Sequence, residues 1–357
     1  MKTAFSIRAG ATARAAILRD GGLNPQRIGR MVGASGGPKW LALARLDRAI
    51  WRHWLKDRTA ALPLIGSSIG NWRHICYALP DPFAAFERFE NSYLAYRYVK
   101  GETAADITRN SRTVLDDILG PDGAAQILNG QGPMRLCVVT ARGRHLLGTE
   151  RRLPLMAGIG LSAIANLAAS RLMHGFYERV LFADPRLDGD IAGWRGPAPG
   201  TVRLSPDNLA DAVMASSAIP SLIEPGRNIS GASRGLYWDG GILDYHPVID
   251  APDGVDDSIT LFPHFYDRLI PGWFDKPLQW RHRRETLPDD MLMIAPSSEF
   301  AARLPYGKIP DRKDFLRLSE NERLVYWRRV LAETDRLADD FAELVTQDTL
   351  ADRLYRN

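Results

Sequence analysis

The segment Gly66-Ser67-Ser68-Ile69-Gly70 is the first place in the chain where residue types and spacing fit a reaction. It follows the apolar run Ala61-Leu62-Pro63-Leu64-Ile65 and leads into Asn71-Trp72-Arg73-His74-Ile75-Cys76. The first stretch has strand character and the second reads as the start of a helix. A serine on a sharp strand-to-helix turn presents its hydroxyl as a nucleophile for acyl transfer. Glycine suits positions 66 and 70, because a β-carbon there would strike backbone or cover the hydroxyl. The helix that follows aims its unpaired N–H groups and positive dipole end at the same spot, where an oxyanion would form. Ser68 is therefore the predicted attacking residue.

A second Gly-x-Ser-x-Gly, Gly33-Ala34-Ser35-Gly36-Gly37, also lies between an expected strand and an expected helix. Read as the elbow of an α/β-hydrolase-type esterase, it makes Ser35 the nucleophile. Asp239 and then His264 or His282 would follow in the order Ser, Asp, His. Two observations favour Ser68 instead. Apart from an edge strand near the start, only one strand is expected before Ser35, where an elbow of that type usually follows several, and the Ser35 reading leaves the Ser68 turn without a purpose. His246 and His264 are then expected to be structural.

The elements that must position these serines follow from periodicity. Residues 28–32 read as a buried strand, and 41–55 carry apolar residues at helical spacing after Pro38, which suits a first helical turn. With the Ser68 strand and helix this gives βαβα, hence a parallel sheet with helices packed on it. Helices are expected over 83–98 and 104–119, and strands over 134–139, 180–183, 258–263 and 291–295. Residues 184–206 read as a surface loop, 208–214 as a helix, and 320–345 as one long amphipathic helix. Near the start, 4–8 reads as an edge strand and 11–19 as a short helix. That stretch lacks an acid before Asp20, so its composition also suits a transit peptide. Residues 153–170 carry no charge, and two readings stand: a buried crossover helix, or a lip that docks on a lipid surface.

Composition narrows the class. The chain has 357 residues, 45% hydrophobic and 25% charged, with a net charge of +4, as in a soluble globular protein. Arginine far outnumbers lysine, which mildly favours anionic partners. No zinc-finger spacing, basic heptad region or aromatic RNA-binding signature accompanies that charge, so nucleic acid is not an expected partner. Cys76 and Cys137 lie far apart in apolar runs. They read as two buried thiols in a reducing compartment, not as a disulfide framework or a zinc site.

Four pieces recur in one order. They are Ser35-Gly36-Gly37-Pro38-Lys39-Trp40, the Ser68 turn, Ala215-Ser216-Ser217-Ala218-Ile219-Pro220, and Asp239-Gly240-Gly241. This order resembles the patatin-like phospholipase family over residues 29–247. That family carries a glycine-rich loop, a serine elbow, an Ala-Ser-x-Ala-x-Pro stretch and an Asp-Gly-Gly or Asp-Gly-Ala. Three positions depart from its pattern. Ser35 replaces the first glycine of the loop, Trp40 replaces a small residue, and Lys39 stands where arginine is frequent. Lysine keeps the charge and loses the two-pronged hydrogen bonding.

The resemblance implies a three-layer α/β/α fold with a mainly parallel central sheet. It implies a Ser68–Asp239 dyad, with Gly240 and Gly241 shaping the aspartate turn and no metal or cofactor. The amides of Gly36, Gly37 and Lys39 would hold the oxyanion, and the Lys39 side chain could instead attract a phosphate. The expected activity is lipid acyl hydrolysis of phospholipids, lysophospholipids or other carboxylic esters through an acyl-enzyme. The expected domains are an N-terminal extension over 1–27, the hydrolase over 28–300 and a C-terminal helical extension over 301–357. The expected location is cytoplasmic, with transient contact at a membrane surface as an option and no oligomeric state implied. A non-catalytic reading also stands: a membrane- or protein-binding module on a degenerate scaffold, with Trp273, Trp280, Arg281, Arg283 and Arg284 as its contact surface.

Overall fold

Strand and helix alternate from Ile28 onward, and a crossover of that kind returns the chain beside the strand it left. The structure, a computed structural model, describes residues 4–97, 101–251, 258–282, 285–347 and 349–355. Among them ten strands form one sheet. They are β1 (Phe5–Ala9), β2 (Ile28–Gly33), β3 (Leu62–Ser67), β4 (Met134–Gly143), β5 (Tyr177–Ala183), β6 (Gly200–Arg203), β7 (Gly226–Arg227), β8 (Leu236–Asp239), β9 (Ile259–Pro263) and β10 (Met291–Pro296). The order across the sheet is β1-β10-β9-β2-β3-β4-β5-β6, with β8 pairing β4 and β7. The central run β10-β9-β2-β3-β4 is parallel. β1 closes one edge antiparallel to β10, and β5 lies antiparallel to β4. The fold is mixed α/β with a mostly parallel central sheet, compatible with three α/β/α layers.

The helices before the second half of the sheet are α1 (Ala11–Asp20), α2 (Ala44–Ile50), α3 (Ile69–Ala78), α4 (Pro82–Ala95), α5 (Ala104–Leu119) and α6 (Gly123–Asn129). Local chemistry sets their ends. Asp81 caps α4 ahead of Pro82, and Thr103 and Asp106 close a capping box on α5. Buried Ile107, Val114, Leu115, Ile118 and Leu119 line one stripe of α5. The α3 helix is buried along most of its length and packs on β2, β3 and β4. A buried ion pair ties it to α2: Arg73 Nε and one terminal nitrogen reach the Asp47 carboxylate at 2.7 and 2.6 Å. Tyr77 donates to the same carboxylate at 2.9 Å.

Four expectations are corrected. The single helix over 41–55 is instead a 3₁₀ segment (Gly37–Ala42), α2, and a π turn (Trp51–Leu55). The loop over 184–206 contains β6, which gains a parallel ladder on β5. The long C-terminal helix is two, Glu320–Glu333 and Asp335–Thr346. At the break, the buried Thr334 hydroxyl bonds back to the Leu331 carbonyl at 2.7 Å, competing with the regular ladder. Of the two readings of 153–170, the fully buried one is corrected: the helix there is α7 (Arg152–Ala168), and one of its faces is open. Leu153, Met156, Leu161, Ile164 and Leu167 are all exposed.

Helices from both the first and the last part of the chain pack on this frame. α1 lies against β10, and Asp335–Thr346 lies against α2 and beside the π turn that follows it, where Phe341 meets Trp54 edge-on at 4.6 Å. No helix among the described residues is long and apolar enough to cross a membrane.

Candidate active site

Two strands share one edge of β4, and this brings the predicted pair together. β3 runs along that edge until Ser67 faces Val139. The antiparallel β8 takes the edge over at the next residue, where Asp239 faces Thr140. Ser68 follows Ser67 directly, so its hydroxyl meets the end of β8. Ser68 Oγ donates to Asp239 Oδ2 at 2.8 Å, and Gly241 N–H donates to the other carboxylate oxygen at 2.7 Å.

The turn that carries Ser68 is strained. Its φ is 53° and its ψ −128°, a conformation that costs a non-glycine residue about 1–3 kcal/mol and persists only when neighbours impose it. Those neighbours are visible. Ser216, at the end of α8 (Leu209–Ser216), accepts from Ser68 N–H at 3.0 Å and from Asn71 Nδ2 at 2.8 Å. It donates in turn to the Val139 carbonyl at 2.5 Å. Trp72 Nε1 donates to Ser217 Oγ at 2.9 Å. Close packing explains the glycines. A β-carbon on Gly66 would sit 2.4 Å from Asn71 Oδ1, and one on Gly70 would sit 2.4 Å from the Gly33 carbonyl. On Gly240 it would sit 2.2 Å from the Val139 carbonyl, and on Gly241 2.4 Å from Ser35 Oγ.

Asp239 is 7% exposed. Burial raises its pKa, against the opposing pull of the Gly241 and Ser68 hydrogen bonds and of the Arg312 and Lys276 charges. A carboxylate of that kind is a better proton acceptor than an aspartate in water.

The glycine-rich loop borders the same spot. Gly36 lines a gap of about 10 Å³ beside Ser68 and Asp239, and Gly37 lines the adjoining cavity with Ser68. Among the described residues, the Gly36 and Gly37 N–H groups meet no protein acceptor. The Lys39 N–H closes a turn on the Gly36 carbonyl at 3.4 Å, so the loop offers two free amides and not the three expected. The Lys39 side chain is buried and faces a separate cavity. Trp40, one of the departures from the family pattern, stacks on Phe89 at 3.9 Å and belongs to the core.

Two larger cavities flank the gap. One, of about 230 Å³, is apolar and is walled by Ile69, Trp72, Val114, Leu222, Ile223 and Phe315. The other, of about 740 Å³, is polar and holds the Lys39, Lys276 and Lys313 side chains beside Tyr245 and Tyr266. Arg312 borders the gap and both cavities. Sequence reasoning missed Arg312, Lys276 and the brace Ser216. Arg312 lies in a stretch with no motif around it, Lys276 lies between Trp273 and Trp280 in the run read only as a contact surface, and Ser216 sat inside the Ala-Ser-x-Ala-x-Pro segment.

Among solved structures, VipD from Legionella pneumophila matches at 13% identity and a TM-score of 0.29, over 71% of this chain and 52% of that one. Likeness at that level fixes neither family nor activity, and the chain spans about half the length of that structure. No protein-family model matches the chain, and no curated protein does.

The remaining candidates fall elsewhere. Ser35 Oγ bonds Ser67 Oγ at 2.9 Å, and among the described residues no histidine bonds Ser35 or Asp239. His246 Nδ1 accepts from Ile270 N–H and His264 Nδ1 from Tyr266 N–H, each at 2.9 Å. The two rings pack edge to face at 4.1 Å. His282 Nε2 sits 2.7 Å from the Asp275 carbonyl. Trp273 lines the gap and the polar cavity, and Trp280 is exposed. Arg281 is a tether, bonding Asp275 Oδ1 and the Asn166 carbonyl. Arg283 and Arg284 lie outside the described residues. Cys76 and Cys137 are buried free thiols whose pKa values burial raises. Among the described residues no group of His, Cys, Asp and Glu could hold a metal ion.

Proposed function

We propose that this protein is a serine acyl hydrolase acting on lipid esters, with Ser68 as nucleophile and Asp239 as its base. The observation that carries the reading is the 2.8 Å bond from Ser68 Oγ, on a strained turn, to a buried carboxylate. Asp239 takes the proton as Ser68 Oγ attacks the ester carbonyl. The free amides of Gly36 and Gly37 receive the oxyanion, where one donor is typically worth about 3–4 kcal/mol in the transition state. The alkoxide leaves with the proton from Asp239. Water, activated by the same carboxylate, then frees the acid from Ser68. The apolar cavity beside Ser68 suits the acyl chain.

The open face of α7 supports contact with a lipid surface. Seven of the eleven large apolar side chains exposed among the described residues fall between Leu146 and Leu172. Exposed Arg144, Arg151, Arg152 and Arg171 flank that face, which favours an anionic bilayer over a second protein. The helix also touches both sides of the site. Met156 Sδ lies 3.8 Å from Ser221 Oγ, next to Pro220, and Asn166 Nδ2 donates to Asp275 at 2.9 Å, near Trp273.

A serine-directed fluorophosphonate tests the hydrolase reading. Labelling of the native protein, mapped to Ser68 and absent from Ser68→Ala, is the expected result. A folded native protein that stays unlabelled would overturn it.

A further inference from the structure

The polar cavity gathers five cations, Lys39, Arg268, Lys276, Arg312 and Lys313, against one acid, Asp311. Asp311 is committed elsewhere: it lies 3.3 Å from Lys308 Nζ and accepts from the Lys313 backbone N–H at 2.7 Å. Among the described residues, none of the five cations has a carboxylate within ion-pair distance. Three of them lie instead near aromatic rings. Lys276 Nζ is 4.6 Å from the Tyr245 ring, Arg268 is 4.9 Å from the Tyr266 ring, and Lys39 Nζ is 5.6 Å from the Phe265 ring.

Lys39 is the telling member, because it is only 7% exposed. Elsewhere buried Arg30, Arg73 and Arg179 have an aspartate each, buried Arg58 has backbone carbonyls, and buried Arg323 lies over the Phe315 ring. A buried, unpaired ammonium facing a cavity, with four more cations on the same walls, is costly without a counter-ion. Such a group either gives up its proton or takes a counter-ion, and with Asp311 committed the counter-ion of the charged form comes from outside the fold.

We propose that this basin receives the leaving-group half of a single-chain acyl ester whose headgroup is a phosphate monoester with no ammonium group. The proposal rests on the hydrolase reading. The ester carbon sits over Ser68, its chain enters the apolar cavity, and its phosphate enters the basin, with Arg312 at the junction of both. The apolar cavity, about 230 Å³, has room for one chain of moderate length. A phosphate monoester carries nearly two negative charges at neutral pH, and arginine and lysine are its usual receivers. A choline or ethanolamine headgroup would bring a cation into a basin that has no free acid to meet it, and like charge discriminates against it. The phosphate is not consumed. The Ser68 Oγ–acyl bond forms as the ester C–O bond breaks, the alcohol departs with the serine proton, and water later cleaves the acyl-serine bond.

The test uses three monoacyl substrates of one chain length below their aggregation threshold: a glycerol phosphate monoester, its phosphocholine counterpart, and the uncharged glycerol ester. kcat/KM is measured for each, and binding of each to Ser68→Ala is measured alongside that of inorganic phosphate. The phosphate monoester is expected to lead both others by about tenfold or more in kcat/KM and in affinity. In Lys276→Met with Arg268→Met that ratio should shrink to about twofold, the loss expected when charge recognition goes. Equal rates and affinities for the three esters would overturn the proposal and leave the hydrolase standing. Binding of inorganic phosphate without any preference among the esters would also overturn it, assigning the basin to a free anion. Selective binding of the phosphate monoester with no turnover of any ester would uphold the basin and defeat the hydrolase reading.

Discussion

Ser67 and Asp239 stand on consecutive rungs of the same edge of β4, Ser67 opposite Val139 and Asp239 opposite Thr140. Two strands of opposite direction thus meet end to end. The residue after one and the last residue of the other are held at hydrogen-bond distance by the sheet itself. A pair positioned by backbone ladders is better fixed than one carried on two loops.

That placement has a cost in stability. Burial raises the Asp239 pKa above its unfolded value, so the folded state favours the protonated form. The penalty is therefore absent below the unfolded pKa and fully present once pH exceeds the folded one. Asp239→Asn, which keeps a hydrogen-bonding group at the same place, should melt at a higher temperature than the native protein at neutral pH. The difference should fade as the solution is made acidic. Thermal melts across pH check this, and a lower melting temperature at neutral pH contradicts it.

The lysines of the basin titrate in the working range. Burial, with Lys276 alongside, brings the Lys39 pKa down to about 7. Asp311 opposes that shift, while Arg312 and Lys308 add to it. Burial and Arg312 bring Lys276 down to about 8, with Lys313 adding to the shift and Asp239 and Asp311 opposing it. Both groups lose their charge as pH rises through those values. The KM for an anionic monoacyl ester should therefore climb over that interval, while the KM for an uncharged ester stays level. Parallel pH profiles for the two substrates would contradict this.

The site also depends on the pair beneath it. Asp47 and Arg73 are both at most 2% exposed, so solvent does not screen them. Asp47→Ala leaves a guanidinium buried and unpaired, a change that typically costs about 3–5 kcal/mol. Replacing both, Asp47→Leu with Arg73→Met, should recover most of that loss. Denaturant unfolding of the native protein and the two variants checks the order, and an Asp47→Ala variant as stable as the native protein contradicts it.

On the open face of α7, Leu153→Glu with Ile164→Glu alters two side chains that are 82% and 68% exposed. Melting should stay near that of the native protein, since surface changes usually fall within about 0.5 kcal/mol. The fraction that sediments with vesicles of anionic lipid should drop several-fold. Undiminished sedimentation would remove α7 from the interface, and a shift from dimer to monomer would assign the face to a second copy.

Much of this was legible in the residues. The order of strands and helices around Ser68 could be read because Gly66, Gly70 and the apolar run before them obey local steric rules. The Asp239 partner came from the order of motifs and not from any local signal, since β8 is only four residues long. What stayed hidden depends on contacts distant along the chain. The π turn at Trp51–Leu55 and the break at Thr334 leave the apolar periodicity intact, so periodicity passes over them. The uncharged run 153–170 fits a buried helix as well as an open one, and only the surrounding packing decides. Arg312 and Lys276 have no motif to mark them, because a cavity wall is assembled from separate loops.

The most direct measurement is the rate of ester hydrolysis by the native protein, Ser68→Ala, Asp239→Asn and the double variant, each shown to be folded. Each single change is expected to lower kcat/KM by about a thousandfold or more, and the double variant to lose little beyond either one, as for groups that act as a unit. Native rates in either folded single variant would contradict it.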